Sequence, residues 1–389
     1  MNTPPGHASH SGNQIIAAPS SAGDGPPVEK VTTALFEVPT DHPEGDGTIA
    51  WSSTAVVVVE VHAAGHVGTG WTYCAKSAQT VVQEKLSSLV QAKPVFDVPA
   101  AWQSMVNAVR NMGRPGVVSC AISAVDIALW DLKARVMGVS LASLFGRLRE
   151  GVPIYGSGGF TTYQDDVTIA QLEQWVAEWH MDKVKIKIGE SWGSNPGRDL
   201  HRAQLARKVI GDDAELFVDA NGGYNRKQAV RMGHAFYDEA GVTWFEEPVS
   251  SDDLDGLREV RDNCLIDVAA GEYGYSPWYF AQMIGASAID CLQVDVTRCG
   301  GFTAWAQVAG LAAASNMDIS GHCAPNLSAH IAVSAPNLRH LEYFHDHHRI
   351  ENMLFDGALS PAGGVLTPDT SRAGHGMRLR TGLDDLRKG

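Results

Sequence analysis

Positive charge is scarce in this chain of 389 residues: 30 Lys and Arg stand against 44 Asp and Glu, a formal charge of −14. A surplus of that sign repels phosphate backbones and anionic membrane surfaces, so neither nucleic acid nor a membrane is an expected partner. Long hydrophobic runs are also missing. No stretch of 18 apolar residues occurs, which excludes a spanning helix. Cys74, Cys120, Cys264, Cys291, Cys299 and Cys323 form no C-x-x-C pair and several sit inside apolar text, as buried free thiols of a cytoplasmic protein do. A G-x-G-x-x-G after a first strand, the mark of an open dinucleotide-binding sheet, is absent too. What remains is an apolar, turn-rich chain, 44% hydrophobic with 40 Gly and 10 Trp, long enough for a large barrel with an accessory domain.

Residues 1–28 are rich in Pro, Gly, Ser and Ala and carry neither a basic nor an apolar signal region, so a flexible leader is expected. Residues 29–150 read as an α+β capping domain. "VTTALFEV", "TAVVVVEVHA" and "GTGWTYC" are strand-like, and helical text follows, ending in "VSCAISAVDIALWDLKARVMG" with Ala121, Val125, Ala128, Leu129 and Leu132 on one stripe. Between the first two strands, "PTDHPEGDGTIAW" reads as a loop. From 151 to 360, eight β-rich segments alternate with helical ones, which predicts a parallel α/β barrel. The segment 361–389 is polar and is expected to pack back on the cap.

Chemistry in a parallel barrel collects at the carboxyl ends of its strands. There the chain places Lys185 and Lys187, Asp219, Glu246, Glu272, Asp295, His322 and Glu342, spaced about one βα unit apart. Asp219, Glu246 and Glu272 lie on three successive strands, and three converging carboxylates call for a cation. All-oxygen ligation suits Mg²⁺, with Mn²⁺ as a substitute; zinc would want His or Cys. Asn221 can reach the same side as Asp219. Lys185 and Lys187 share one strand face, where mutual repulsion and burial are expected to lower a lysine pKa enough for a general base. His322 and Asp295 on neighbouring strands form an expected imidazole–carboxylate dyad. Glu247 is expected to be structural, and the "HDHH" run at 345–348 to cover a loop.

The ordered set "KIKIG", "VDANGG", "WFEEP", "AAGE", "VDVTRCGG", "SGH" and "LEYF" resembles the enolase superfamily and, within it, the mandelate racemase subgroup with its muconate lactonizing and acid-sugar dehydratase relatives. The resemblance implies an α+β cap over a modified (β/α)₇β TIM barrel, with Mg²⁺ on Asp219, Glu246 and Glu272. It further implies proton abstraction next to a carboxylate through an enediolate. Lys187, tuned by Lys185, would face one side of the substrate, and His322 with Asp295 the other. Glu342 would hydrogen-bond a substrate carboxylate oxygen, a role resting on the resemblance alone. Family members commonly form dimers or octamers, so a homo-oligomer is implied. Two opposed bases permit dehydration, racemisation or epimerisation, and cycloisomerisation. The loop residue His42, with Trp71, Thr161 and Tyr163, supplies a polar lid that suits an acid sugar, whose dehydration gives a 2-keto-3-deoxy acid. A carboxylate-binding barrel without turnover is the alternative from another class; it would not need both Lys187 and His322.

Overall fold

The computed structural model describes residues 25–388; most of the expected leader lies outside them. Three antiparallel strands open the fold: β1 (Lys30–Gly45), β2 (Ala50–Ala63) and β3 (His66–Thr72). The β-branched run of β2 explains its place at the centre. Val56, Val57, Val58, Val59 and Val61 are all buried, so both faces of the strand are covered.

The text read as a loop between β1 and β2 is mostly strand. Pairing runs from Lys30↔His62 to Pro39↔Ser53, shifts, and resumes at Glu44↔Trp51 and Gly45↔Ala50. Polar composition there reflects a solvated, bulged hairpin rather than absent pairing. Only the tip turns, held by Asp46 Oδ1, which accepts from the backbone N–H groups of Thr48 (2.6 Å) and Ile49 (2.8 Å). That tip sits on the barrel mouth. A Cβ at Gly47 would lie 2.5 Å from Ala220 O and 2.8 Å from Ile188 O, so only glycine permits the approach.

Helix Val117–Met137 packs on β3 so closely that a Cβ at Gly70 would meet Ala124 O at 2.3 Å. The stripe Ala121, Val125, Ala128, Leu129 and Leu132 is buried, and so is most of the rest of the helix, because its other side meets barrel helix Gly301–Ala314. There Asp126 accepts hydrogen bonds from Thr303 N (3.0 Å) and Oγ1 (2.6 Å), which fastens cap to barrel.

The barrel comprises β4 (Val152–Gly158), β5 (Lys183–Lys187), β6 (Glu215–Asp219), β7 (Val242–Glu246), β8 (Asp267–Ala270), β9 (Cys291–Val294), β10 (Asp318–Gly321) and β11 (Leu338–Phe344). Each pairs in parallel with the next, and β11 pairs with β4 to close the ring. All eight coincide with the segments read from the sequence. Tyr155, Phe217, Trp244 and His340 fill the interior as an aromatic floor. The C-terminal residues return to the cap. Arg387 and Lys388 pair with Phe36 and Leu35 of β1, and His375 Nε2 bonds Thr69 O at 2.9 Å. Among the described residues no helix is long and apolar enough to cross a membrane.

One stability prediction arises here. His330, in helix Pro325–Ala332, is fully buried; burial and then nearby His375 pull its pKa down to about 3. The unfolded imidazole titrates near 6.5. Between those values the unfolded chain binds a proton that the folded chain does not, so this contribution is present above pH 6.5 and lost as pH falls. A His330→Leu variant should therefore lose about 2–3 kcal/mol less stability than the parent between pH 6.5 and 4.5, read from urea unfolding. Parallel losses in the two proteins would refute it.

Candidate active site

Every strand end from β5 to β11 delivers a polar side chain to the mouth beneath the hairpin tip. Lys187, Asp219 and Glu246 are register partners across β5, β6 and β7, so the ladder itself sets their proximity. Lys185 Nζ lies 2.6 Å from Glu246 Oε2, 2.8 Å from Glu342 Oε1 and 3.6 Å from Asp219 Oδ2. Lys187 Nζ is ion-paired to Asp219. Asn221, in the left-handed region at φ 45°, donates its backbone N–H to Asp219 Oδ1 (2.8 Å), and its own Oδ1 is left without a partner among the described residues.

Across the mouth, His322 Nδ1 is 2.8 Å from Asp295 Oδ2. Its Nε2 faces Glu272 Oε2 at 2.9 Å and Glu342 Oε2 at 3.4 Å. Asp295 is itself fixed by Thr297 N (2.6 Å) and Oγ1 (2.7 Å), and Arg298 reaches both Glu272 (3.3 Å) and Asp295 (3.4 Å). Glu342 accepts from Ser157 Oγ (2.6 Å) and from Cys323 N (3.1 Å). Cys323 and Ala324 hold φ of 49° and 42°, two successive left-handed residues without glycine, a strained turn directly after His322.

The electrostatics correct one expectation. Lysine–lysine repulsion does not win. Burial pulls both amines down, but for Lys187 the surrounding carboxylates, Asp219 foremost with Glu272 and Glu246, reverse it, and for Lys185 Glu246 and Glu342 lead the reversal, so both end above the ordinary lysine value. Burial, then Asp219, pushes Glu246 up to about 8. Burial raises Glu272, but His322, Arg298 and Lys187 together outweigh it, leaving that carboxyl well below its usual range.

Three observations fit a hard divalent cation at this place. Glu246 Oε1 is buried with no hydrogen-bond partner among the described residues, Glu246 and Asp219 repel across adjacent strands, and the donors are all oxygens. Ligating atoms of Glu246, Glu272 and His322 lie within 4.8 Å of one another, and Asp219 stands beside Glu246 in register, turned to Lys187. Glu247 is not at the cavity wall. It is buried at φ 38° and accepts from Ser251 Oγ.

A cavity of about 320 Å³ opens onto Lys187, Asn221, Glu272, His322 and Glu342. Lys185, Asp219 and Asp295 are bonded to those wall residues, and Glu246 to Lys185 behind them. The lid side is formed by Asp46, Ile49, Trp51, Thr54 and Tyr73. Four expected substrate contacts are not brought there. Trp71 is fully buried, stacked on Phe355 at 4.3 Å and edge-on to His375, because it faces the seam with the C-terminal segment. Thr161 Oγ1 bonds Gly45 O (3.1 Å) and Asp46 O (2.7 Å), Tyr163 packs on Phe160, and exposed His42 stands edge-on to Tyr163. These three brace the hairpin instead of lining the cavity.

Sequence reasoning passed over Arg298, Cys323, Thr54, Asp346 and His347, all at the wall. The first two had a usable signal, sitting three residues after Asp295 and one after His322. His347, from the histidine run, stacks on Tyr73 at 3.3 Å and accepts from Ala324 N.

Residues 30–146 match the family model "Mandelate racemase / muconate lactonizing enzyme, N-terminal domain", and residues 167–382 match "Enolase C-terminal domain-like". The chain is 33% identical over 307 residues to the D-galactarolactone cycloisomerase of Agrobacterium fabrum, covering 76% of this chain and 78% of that protein. A mandelate racemase/muconate lactonizing enzyme-like protein from Rubrobacter xylanophilus superimposes with a TM-score of 0.90 at 45% identity, covering 93% of this chain and all of that one. The L-talarate/galactarate dehydratase of Salmonella typhimurium LT2, liganded with Mg and L-lyxarohydroxamate, superimposes with a TM-score of 0.86 at 26% identity, over 98% of both chains.

Proposed function

The chain belongs to the mandelate racemase/muconate lactonizing enzyme family of the enolase superfamily, an enzyme of the lyase or isomerase kind, and we propose that it dehydrates an acid sugar to a 2-keto-3-deoxy acid. The observation that carries this reading is one cavity with Lys187 and His322 on its barrel wall and Asp46, Thr54, Tyr73 and Asn221 around the remainder, groups able to hold several hydroxyls.

Magnesium would be held by Asp219, Glu246 and Glu272; bound there it neutralises the three carboxylates and, as a Lewis acid, makes the proton α to the substrate carboxylate removable. The chain's own groups do the rest. With Asp219 engaged by the cation, Lys187 Nζ would lose the ion pair that keeps it protonated, give that proton to solvent, and as the neutral amine take the α-proton from one side. Burial works against a charged His322, but the carboxylates facing both ring nitrogens favour a proton on each and hold its pKa above the ordinary imidazole value. As the electron pair of the broken C–H bond forms the C=C bond, the C–O bond at the β-carbon breaks. His322 Nε2 gives its proton to the departing hydroxyl, water leaves, and the enol tautomerises to the keto acid. For Glu342 burial works against ionisation, but Lys185, His322 and Lys187 overcome it and hold the pKa well below the usual range, which favours the carboxylate. Lys185, 2.8 Å away and off the cavity wall, holds that carboxylate in place.

The test is a panel of aldonic and aldaric acids with Mg²⁺, assayed for 2-keto acid; product from at least one acid is expected. Ile49, Trp51 and Phe344 also reach the cavity and favour a second reading, racemisation of a less polar 2-hydroxy acid. No keto acid across the panel, with solvent deuterium entering such a substrate, would replace the first reading by the second. The brace under the lid gives a further expectation. Thr161→Val, which removes the hydroxyl holding Gly45 O and Asp46 O, should raise KM by up to about tenfold with a smaller change in kcat. A loss confined to kcat would contradict the bracing role.

A further inference from the structure

His322, Cys323 and Glu342 form a triangle of ligating atoms on the cavity wall. Nε2 to Sγ is 3.4 Å, Sγ to Glu342 Oε2 is 3.1 Å, and Nε2 to Oε2 is 3.4 Å. A tetrahedral ion with Zn–S of about 2.3 Å and Zn–N and Zn–O of about 2.0–2.1 Å spaces its ligands by about 3.3–3.6 Å. The three edges therefore approximate one face of such a tetrahedron with little movement of the chain. All three side chains are buried and all three line the cavity, which leaves the fourth corner toward its interior. The outer partner is also in place, since Asp295 holds His322 Nδ1, the arrangement that directs an imidazole's other nitrogen to a metal.

We propose that His322, Cys323 and Glu342 constitute a second, thiophilic cation site that takes Zn²⁺ or a metal of similar softness and switches the enzyme off. The oxygen cluster of Asp219, Glu246 and Glu272 suits hard Mg²⁺, whereas this triad offers the sulfur and nitrogen that Mg²⁺ avoids and Zn²⁺ prefers. An ion there displaces the Cys323 thiol proton and the His322 Nε2 proton to solvent and occupies Nε2, the atom from which His322 gives up its proton in the reaction, while the Mg²⁺ position stays filled. Inhibition by Zn²⁺ is then not relieved by more Mg²⁺ and is relieved by a chelator.

Co²⁺ is the probe, because its absorption reports ligand type without any substrate, so the result stands apart from the reaction assigned above. Titrating Mg²⁺-saturated protein with Co²⁺ should produce a thiolate-to-cobalt charge-transfer band together with the intense visible bands of four-coordinate cobalt. Cys323→Ser should abolish the charge-transfer band and weaken Zn²⁺ inhibition by at least about tenfold. His322→Asn, a second variant, should weaken Co²⁺ binding as well. Only the faint absorption of six-coordinate cobalt in the parent protein would overturn the proposal. So would a thiolate band that survives in Cys323→Ser, since another cysteine would then be its source.

Discussion

Replacing Lys187 with Met is expected to remove keto-acid formation and α-proton exchange together, each by on the order of 10³-fold. Lys187 is the amine that reaches the cavity from β5, and it is ion-paired to Asp219 in the structure. Lys185, two residues earlier on the same strand face, does not line the cavity and is pinned between Glu246 and Glu342, so it cannot substitute. The measurement is proton NMR in deuterated buffer, following loss of the α-proton signal alongside product. An Mg²⁺-dependent exchange rate in Lys187→Met close to the parent's would remove Lys187 from the role of base.

The second large effect separates the two steps. Asp295→Asn puts an amide where His322 Nδ1–H now meets a carboxylate at 2.8 Å, and so disturbs the tautomer and orientation of the ring. Keto-acid formation should fall by about 10³–10⁴, the scale seen when a buried carboxylate partner of a catalytic imidazole is lost. Alpha-proton exchange, served by Lys187 on the opposite wall, should stay within about one order of magnitude of the parent. His322→Asn should show the same split. Were exchange to vanish with product in both variants, His322 would be the base and the two roles would be reversed.

Which parts of this were legible in the sequence follows from what each depends on. The barrel was readable because each strand is a short β-rich segment ending in a group the strand has no need of, and the parallel ladder converts that order into convergence. The pairing of Asp295 with His322 followed from strand adjacency alone. The protonation of the lysines did not, because it depends on which charges lie nearest. Reading Lys185 and Lys187 as a repelling pair omitted Asp219, Glu246 and Glu342, whose oxygens outnumber the two amines.

The lid was the least legible. Trp71 and Tyr73 are two residues apart, yet one is locked in the seam with the C-terminal segment and the other lines the cavity. That choice is made by where β3 ends and by contacts hundreds of residues away, such as Tyr73 with His347. Polar composition likewise suggested a loop at residues 39–51, where a bulged hairpin places four residues at the tip and pairs most of the others.

Crystals soaked with Mn²⁺ and an acid-sugar substrate test the central claim directly, through the anomalous signal of the ion. One ion is expected with an oxygen of each of Asp219, Glu246 and Glu272 within about 2.0–2.3 Å, and with Lys187 and His322 on opposite sides of the bound acid. An ion bound without one of those three carboxylates, or Lys187 still clamped to Asp219 with substrate in place, would contradict the account.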